Sequence, residues 1–225
     1  MVCLSHEGET ALTMEAERAF GGDVWLVTGN AESPLAEYVD EVVVCTPQLE
    51  RSWCHTASYT CAVAAIDALN GEEIDWLPDA VQEALLQDVQ PFEQERVIIA
   101  GAGRDWPTAQ EAALKLREGA WVDASAYQTE ELMHGHLAAV DEHVRAFVLE
   151  GERRVEERAH EAVAQLEKLG CEVTLVPTRH PVVDIVRFQL LTLAVAGARG
   201  IDPDPIRRAP GSKWAESAGE PYPNA

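Results

Sequence analysis

Lysine is scarce in this 225-residue sequence. Lys115, Lys168 and Lys213 are the whole set, and the other 14 of its 17 cations are arginines, against 39 acidic residues and a formal charge of −22. A chain of that charge repels nucleic acid and anionic lipid, and no helix-turn-helix pattern offsets the repulsion, so neither is an expected partner. The acid is spread along the chain and not gathered into a tail. It reads as a solvated surface suited to a salt-rich cytoplasm, where ionic strength screens self-repulsion. Cysteine is also sparse: Cys3, Cys45, Cys54, Cys61 and Cys171 form no C-x-x-C pair. This excludes a disulfide framework and favours reduced, mostly buried thiols. No run of 18 apolar residues occurs, so no membrane span is expected. The opening "MVCLSHEGET" has neither a basic n-region nor an apolar h-region, so no secretory signal is expected. A cytoplasmic location follows as the expectation.

Hydrophobic residues make up 47% of the chain, enough for one large domain or two small ones with real cores. β-Branched runs at 2–4, 24–27, 42–45, 97–100, 146–149 and 173–176 alternate with helical patterns at 9–20, 56–69, 74–86, 107–120, 153–169 and 183–198. Strand and helix in alternation predict an α/β fold of parallel sheets flanked by helices. Gly170 and Gly200 close two of the helices. The polar stretch 88–95, with Pro91 inside it, reads as a linker between a first lobe at 1–87 and a second at 96–200. The tail at 201–225 holds five prolines and is expected as coil. The first half opens directly on a strand and offers about three strands, fewer than open α/β sheets usually have. The expectation is therefore a first lobe that begins part-way through.

Three constellations could carry chemistry. "SHEGET", Ser5 to Thr10, lies between a strand end and a helix start. Backbone N–H groups and the helix dipole there favour an anion, Ser5 and Thr10 add hydroxyls, and Gly8 permits close approach. The same residues also fit plain N-capping by Ser5 with Glu9 in the first turn. "SWCHTASYT", Ser52 to Thr60, again follows a strand and opens a helix. Thr56 and Ser58 fit either a cap or a ligand, and His55 fits a solvent-edge or core position. In "EAALKLRE", Ala109, Ala112, Ala113, Leu116 and Ala120 share one helix face, and Glu111, Lys115 and Glu118 lie nearly opposite. The charged set reads as a surface ion-pair ladder worth a few tenths of a kcal/mol per pair, or as the face that carries a reaction; Leu114 in the same sector suggests it meets something other than water. Downstream, His134 and His136 flank Gly135, but no further Cys or His stands at zinc spacing, so no metal is expected.

Together these segments resemble the double-SIS phosphosugar isomerase family, and within it the isomerase domain of glutamine–fructose-6-phosphate aminotransferases. "SHEGET" is similar to the family's S-x-S-G-E-T phosphate turn, "HTASYT" to S-T-K-x-Y-T, and "EAALKLRE" to E-x-A-L-K-L-K-E. The 16 residues from Glu118 to His134 match the spacing to the histidine of G-E-L-K-H-G-P. The similarity runs from residue 2 to about 140. It implies that Glu118 is the base moving a proton between C1 and C2, that Lys115 supports it, and that His134 opens the sugar ring across a dimer interface. Ser5, His6, Gly8 and Thr10 are implied as the phosphate turn, and His55 and Thr56 as substrate contacts. The family's Schiff-base lysine has only a loose counterpart in Lys213. No cofactor and no metal are implied. The chain departs from the pattern at Glu7 (serine in the family), His55 (serine), Ala57 (lysine) and His136 (proline), and no glutaminase domain lies within these residues. The implied activity is interconversion of fructose 6-phosphate and glucosamine 6-phosphate in a cytoplasmic homodimer. Deamination of glucosamine 6-phosphate, simple aldose–ketose isomerisation and non-catalytic phosphosugar binding stay open beside it.

Overall fold

The computed structural model describes residues 1–206. They divide into two compact units, Met1–Trp76 and Leu77–Ile206. The division falls ahead of the 88–95 stretch, because the helix α3 (Leu77–Ala84) packs on α7 (Pro181–Arg199) of the second unit.

The first unit is a parallel sheet of β1 (Val2–Leu4), β2 (Trp25–Thr28) and β3 (Glu41–Val44) in that order, with β1 at one edge. Val2 pairs with Trp25, and Trp25 with Glu41, along one row. Alternation along β1 and β2 sends Cys3 and Leu26 to one face, where they meet Val24, Leu35, Met14 and Val39. Met14 lies in α1 (Ala11–Ala19), which packs on β1; α2 (Ala57–Leu69) packs on β2. A 3-10 turn at Pro34–Glu37 is capped by Ser33, whose hydroxyl accepts from the Ala36 N–H.

The second unit is a four-stranded parallel sheet ordered β5 (Asp123–Gln128), β4 (Arg96–Gly101), β6 (Val144–Leu149), β7 (Glu172–Val176). β5 was not among the expected strands. "DASAYQ" lacks β-branched residues, but it pairs with the whole of β4, from Arg96 opposite Asp123 to Gly101 opposite Gln128. The helices are α4 (Asp105–Ala120), α5 (Thr129–Met133), α6 (Glu156–Lys168) and α7. One core holds Ile98, Ala100, Val144, Ala146 and Val148 of the sheet against Leu132 of α5 and Ala159, Ala162 and Leu166 of α6. α4 packs on β4, β5 and α7. α7 is long and apolar enough to cross a membrane, but half of it is buried inside the protein and it carries Asp184 and Arg187, as a core helix does. The buried Arg145 of β6 is fully engaged: it donates to the carbonyls of Ala146 and Glu172 and to Thr174 Oγ1, and its guanidinium lies over the Phe147 ring at 4.3 Å.

Candidate functional site

In the first unit, the turn after β1 is closed on itself. Ser5 Oγ and Thr10 Oγ1 are hydrogen-bonded at 3.1 Å. α1 begins at Ala11 with no side-chain cap, so Ser5 does not cap it; the capping reading fails and the two hydroxyls brace the turn instead. Gly8 is needed here. Its φ is +70°, and a Cβ would stand 2.1 Å from Ser33 Oγ. Its carbonyl accepts from the Leu35 N–H at 3.1 Å. Glu7 is exposed. The His6 carbonyl accepts from Gly29 N–H and Thr28 Oγ1, which fixes the turn against the end of β2. His6 Nε2 accepts from the Glu50 N–H at 3.3 Å, and the ring meets His55 edge-on with centroids 5.1 Å apart. Burial, and then repulsion by His55, hold the His6 imidazole below its usual pKa, only partly offset by Glu50 and Glu7. Its neutral form predominates at pH 7.

The start of α2 is occupied by a residue that sequence reading missed. The Glu50 carboxylate accepts from the N–H groups of Thr56, Ala57 and Ser58 at 2.9, 2.9 and 2.7 Å, and from Thr56 Oγ1 at 3.1 Å. Thr56 is the N-cap residue, but its hydroxyl donates to Glu50 and makes no side-chain cap bond to the helix. Burial alone would raise the Glu50 pKa; the Ser58 hydroxyl and the three amide hydrogen bonds outweigh it and bring it down to about 2. Local capping rules look two or three residues ahead. Glu50 reaches six to eight, and an acid at that distance carries no short-range signal.

In the second unit, the α4 charges are not a surface ladder. Lys115 is only 3% exposed, its Nζ 2.7 Å from Glu118 Oε2 and 3.4 Å from Glu111 Oε1, with those side chains 23% and 13% exposed. Leu114, between them, is exposed. Packed by the sheet and by α7, the helix is buried on more than one side, and its lysine is held where water cannot screen it. A partly open carboxylate with a cation on one oxygen can act as a general base and can steady a neighbouring negative charge.

His134 stands apart. It is 71% exposed, and its Nε2 lies 2.7 Å from Glu130 Oε1. Glu130 in turn binds Arg158, and Arg158 binds Glu161. His136 stacks on Tyr127 with centroids 4.5 Å apart. Lys213 lies outside the described residues. Glu150, Glu156 and His160 have ligand atoms within 4.8 Å of one another, though Glu156 and His160 are exposed.

The SIS domain model matches residues 92–201. Those residues carry a SIS domain. Among curated relatives, the glutamine–fructose-6-phosphate aminotransferase of Rhizobium leguminosarum is 25% identical over 256 residues, covering 91% of this chain and 42% of that protein. That of Caldanaerobacter subterraneus is 28% identical, covering 92% and 42%. The chain thus spans less than half the length of these relatives. Among solved structures, glucosamine-6-phosphate deaminase from Thermotoga maritima superposes with a TM-score of 0.76 at 21% identity, covering 94% of this chain and 73% of that one. Tagatose-6-phosphate ketose/aldose isomerase from Escherichia coli gives 0.75 at 17%, covering 91% and 70%. The expected α/β class of parallel sheets flanked by helices is the fold observed, and these structures share it. The match covers most of the second unit.

Proposed function

We propose that this SIS protein is a cytoplasmic phosphosugar isomerase or aminotransferase-type enzyme acting on a hexose 6-phosphate, and that it works as a homodimer. The first unit supplies the phosphate turn, with the Ser5 and Thr10 hydroxyls, the His6 ring and the backbone around Gly8. His55 and Thr56 contact the substrate. In the second unit, Glu118 moves a proton between C1 and C2 of the open-chain sugar. Lys115 holds one oxygen of that carboxylate, leaving the base to work through the other, and places a positive charge beside the enediolate that develops. A partner subunit's His134, which lies on the surface of its own chain, opens the ring. Lys213 serves as the loose counterpart of the family's Schiff-base lysine.

The observation that carries this reading is the burial of Lys115 between two carboxylates. A fold stabilised by packing alone does better with an apolar residue at such a place. The relatives include aminotransferases, and the fold neighbours include a deaminase and a ketose/aldose isomerase. Incubation with glucosamine 6-phosphate, and separately with fructose 6-phosphate plus ammonia, distinguishes these reactions. Proton exchange at C2 in D2O, read by NMR, tests the shared step. Glu118→Gln is expected to slow exchange by about 10²–10⁴-fold while sugar phosphate binding persists. Turnover of neither amino-sugar mixture rejects the amino-sugar versions. A non-catalytic sensing module is the second reading, favoured by the exposure of His134 and its pairing with Glu130; binding without C2 exchange in the wild type would establish it.

A further inference from the structure

The proposed chemistry leaves Glu130 without a part, although it holds the histidine assigned to ring opening. α5 (Thr129–Met133) is short but firmly seated: Leu132 is fully buried in the core with Ala159, Ala162 and Leu166 of α6. That packing sets Arg158 of α6 against Glu130. Arg158 Nε and Nη2 donate to Glu130 Oε2 and Oε1 at 2.6 and 2.9 Å, a two-point fork, and Arg158 Nη1 donates to Glu161. An isolated ion pair this exposed does little. A guanidinium forked on one carboxylate and bonded to a second fixes direction as well as distance. Arg158 above all holds the Glu130 carboxyl below the usual carboxylate range, so it stays charged.

Glu130 meets His134 twice. The His134 N–H donates to the carbonyls of Glu130 and Glu131 at 3.1 Å each, and Nε2 lies 2.7 Å from Glu130 Oε1. A carboxylate only accepts, so Nε2 carries the hydrogen and Nδ1 of the neutral ring keeps its lone pair. Among the described residues no hydrogen bond reaches Nδ1, and the side chain is 71% exposed. In the motif that "EELMHGH" resembles, glycine stands at the place of Glu130, so the arrangement is this chain's own. Opening a sugar ring needs a group that takes the proton of the anomeric hydroxyl and gives one to the ring oxygen. An imidazole doing so is a cation in between, and a carboxylate on its far nitrogen steadies that charge and fixes the ring.

We infer that Glu130 is the positioning residue for ring opening, directing His134 to work through Nδ1. The inference rests on the ring-opening role proposed for His134. Nδ1 takes the proton of the C2 hydroxyl of fructose 6-phosphate. The bond from C2 to the ring oxygen breaks as the carbonyl forms, and the same proton passes to the ring oxygen, leaving a neutral imidazole. The test compares two substrates in D2O with enzyme in excess, reading deuterium uptake at C1 by NMR. Fructose 6-phosphate must be opened, whereas 5-deoxyfructose 6-phosphate has no C5 hydroxyl, closes no ring and needs only the Glu118 step. Glu130→Ala is expected to slow uptake into fructose 6-phosphate at least about tenfold and to stay within about twofold of wild type on the open-chain analogue. Arg158→Met should fall between them on fructose 6-phosphate. His134→Ala should cost at least as much as Glu130→Ala, and adding Glu130→Ala to it should cost nothing more. Equal slowing on both substrates, additive losses in the double variant, or a Glu130→Ala enzyme as fast as wild type on fructose 6-phosphate overturns the assignment. Uptake into neither substrate by the wild type rejects the enzymatic reading and this role with it. Wild-type uptake into the analogue alone removes this role and leaves that of Glu118 standing.

Discussion

Lys115→Met keeps most of the side-chain stem and removes the charge. In the native protein the ammonium holds Glu111 at 3.4 Å and Glu118 at 2.7 Å, on neighbouring turns of one helix face. Without it, two carboxylates remain in partly closed surroundings and lose the ammonium they share. Breaking a fully buried pair by removing one partner costs about 3–5 kcal/mol. Glu111 and Glu118 keep 13% and 23% of their exposure, so water recovers part of the loss. The expected destabilisation of the second unit is about 2–3 kcal/mol. Urea titration, followed by the unfolding transition of that unit, reads it directly. The loss is electrostatic in origin. Lys115→Arg should retain more stability than Lys115→Met. The reasoning is refuted if Lys115→Met stays within about 0.5 kcal/mol of wild type at pH 7, or if Lys115→Arg loses as much as Lys115→Met.

Two further outcomes concern pH. The Ser58 hydroxyl and the α2 amides hold the Glu50 carboxyl down to about 2. Its contribution is therefore complete above the usual carboxylate range, and it fades as pH falls from about 4.5 towards 2. Glu50→Ala should cost about 1–2 kcal/mol at pH 7, discounted for the group's partial exposure, with faster amide exchange at Thr56, Ala57 and Ser58 and a gap that narrows in acid. Asp184 runs the other way. Burial, and to a lesser degree Asp105, push its carboxyl up to about 6 although it accepts from the Arg179 N–H. A group raised in the native state stabilises most below its unfolded pKa and loses that contribution as pH climbs through 6. Asp184→Asn should therefore flatten the decline in stability between pH 4 and about 7; an unchanged slope would show that Asp184 does not titrate there.

The α/β class was legible because most strands are β-branched and most helices carry a 3.6-residue pattern. β5 escaped because Ala, Ser and Gln have no strand signal of their own, and its pairing with β4 makes the strand. Of the two readings of the charged face of α4, the surface ladder fails for a related reason. Periodicity separates two faces, but this helix packs on a sheet and on α7 at once. The division at Trp76 was hidden because composition marks 88–95 as polar, while the packing of α3 on α7 decides where the second unit starts. The order and spacing of the motifs single out Ser5, Gly8, Thr10, Lys115, Glu118 and His134 only by resemblance. Glu50 carries no such signal, since its partners lie beyond the reach of any local pattern.

Thr178 has a consequence larger than its size. Its hydroxyl donates to Asp105, at the head of α4, and accepts from the Gly151 N–H, just past β6, while the residue itself leads from β7 into α7. Three crossovers that are far apart in the chain are knotted together by one oxygen atom. The rim of the sheet should accordingly flex as a single piece, and trimming Thr178 to valine would untie all three loops at once and not loosen any one of them alone.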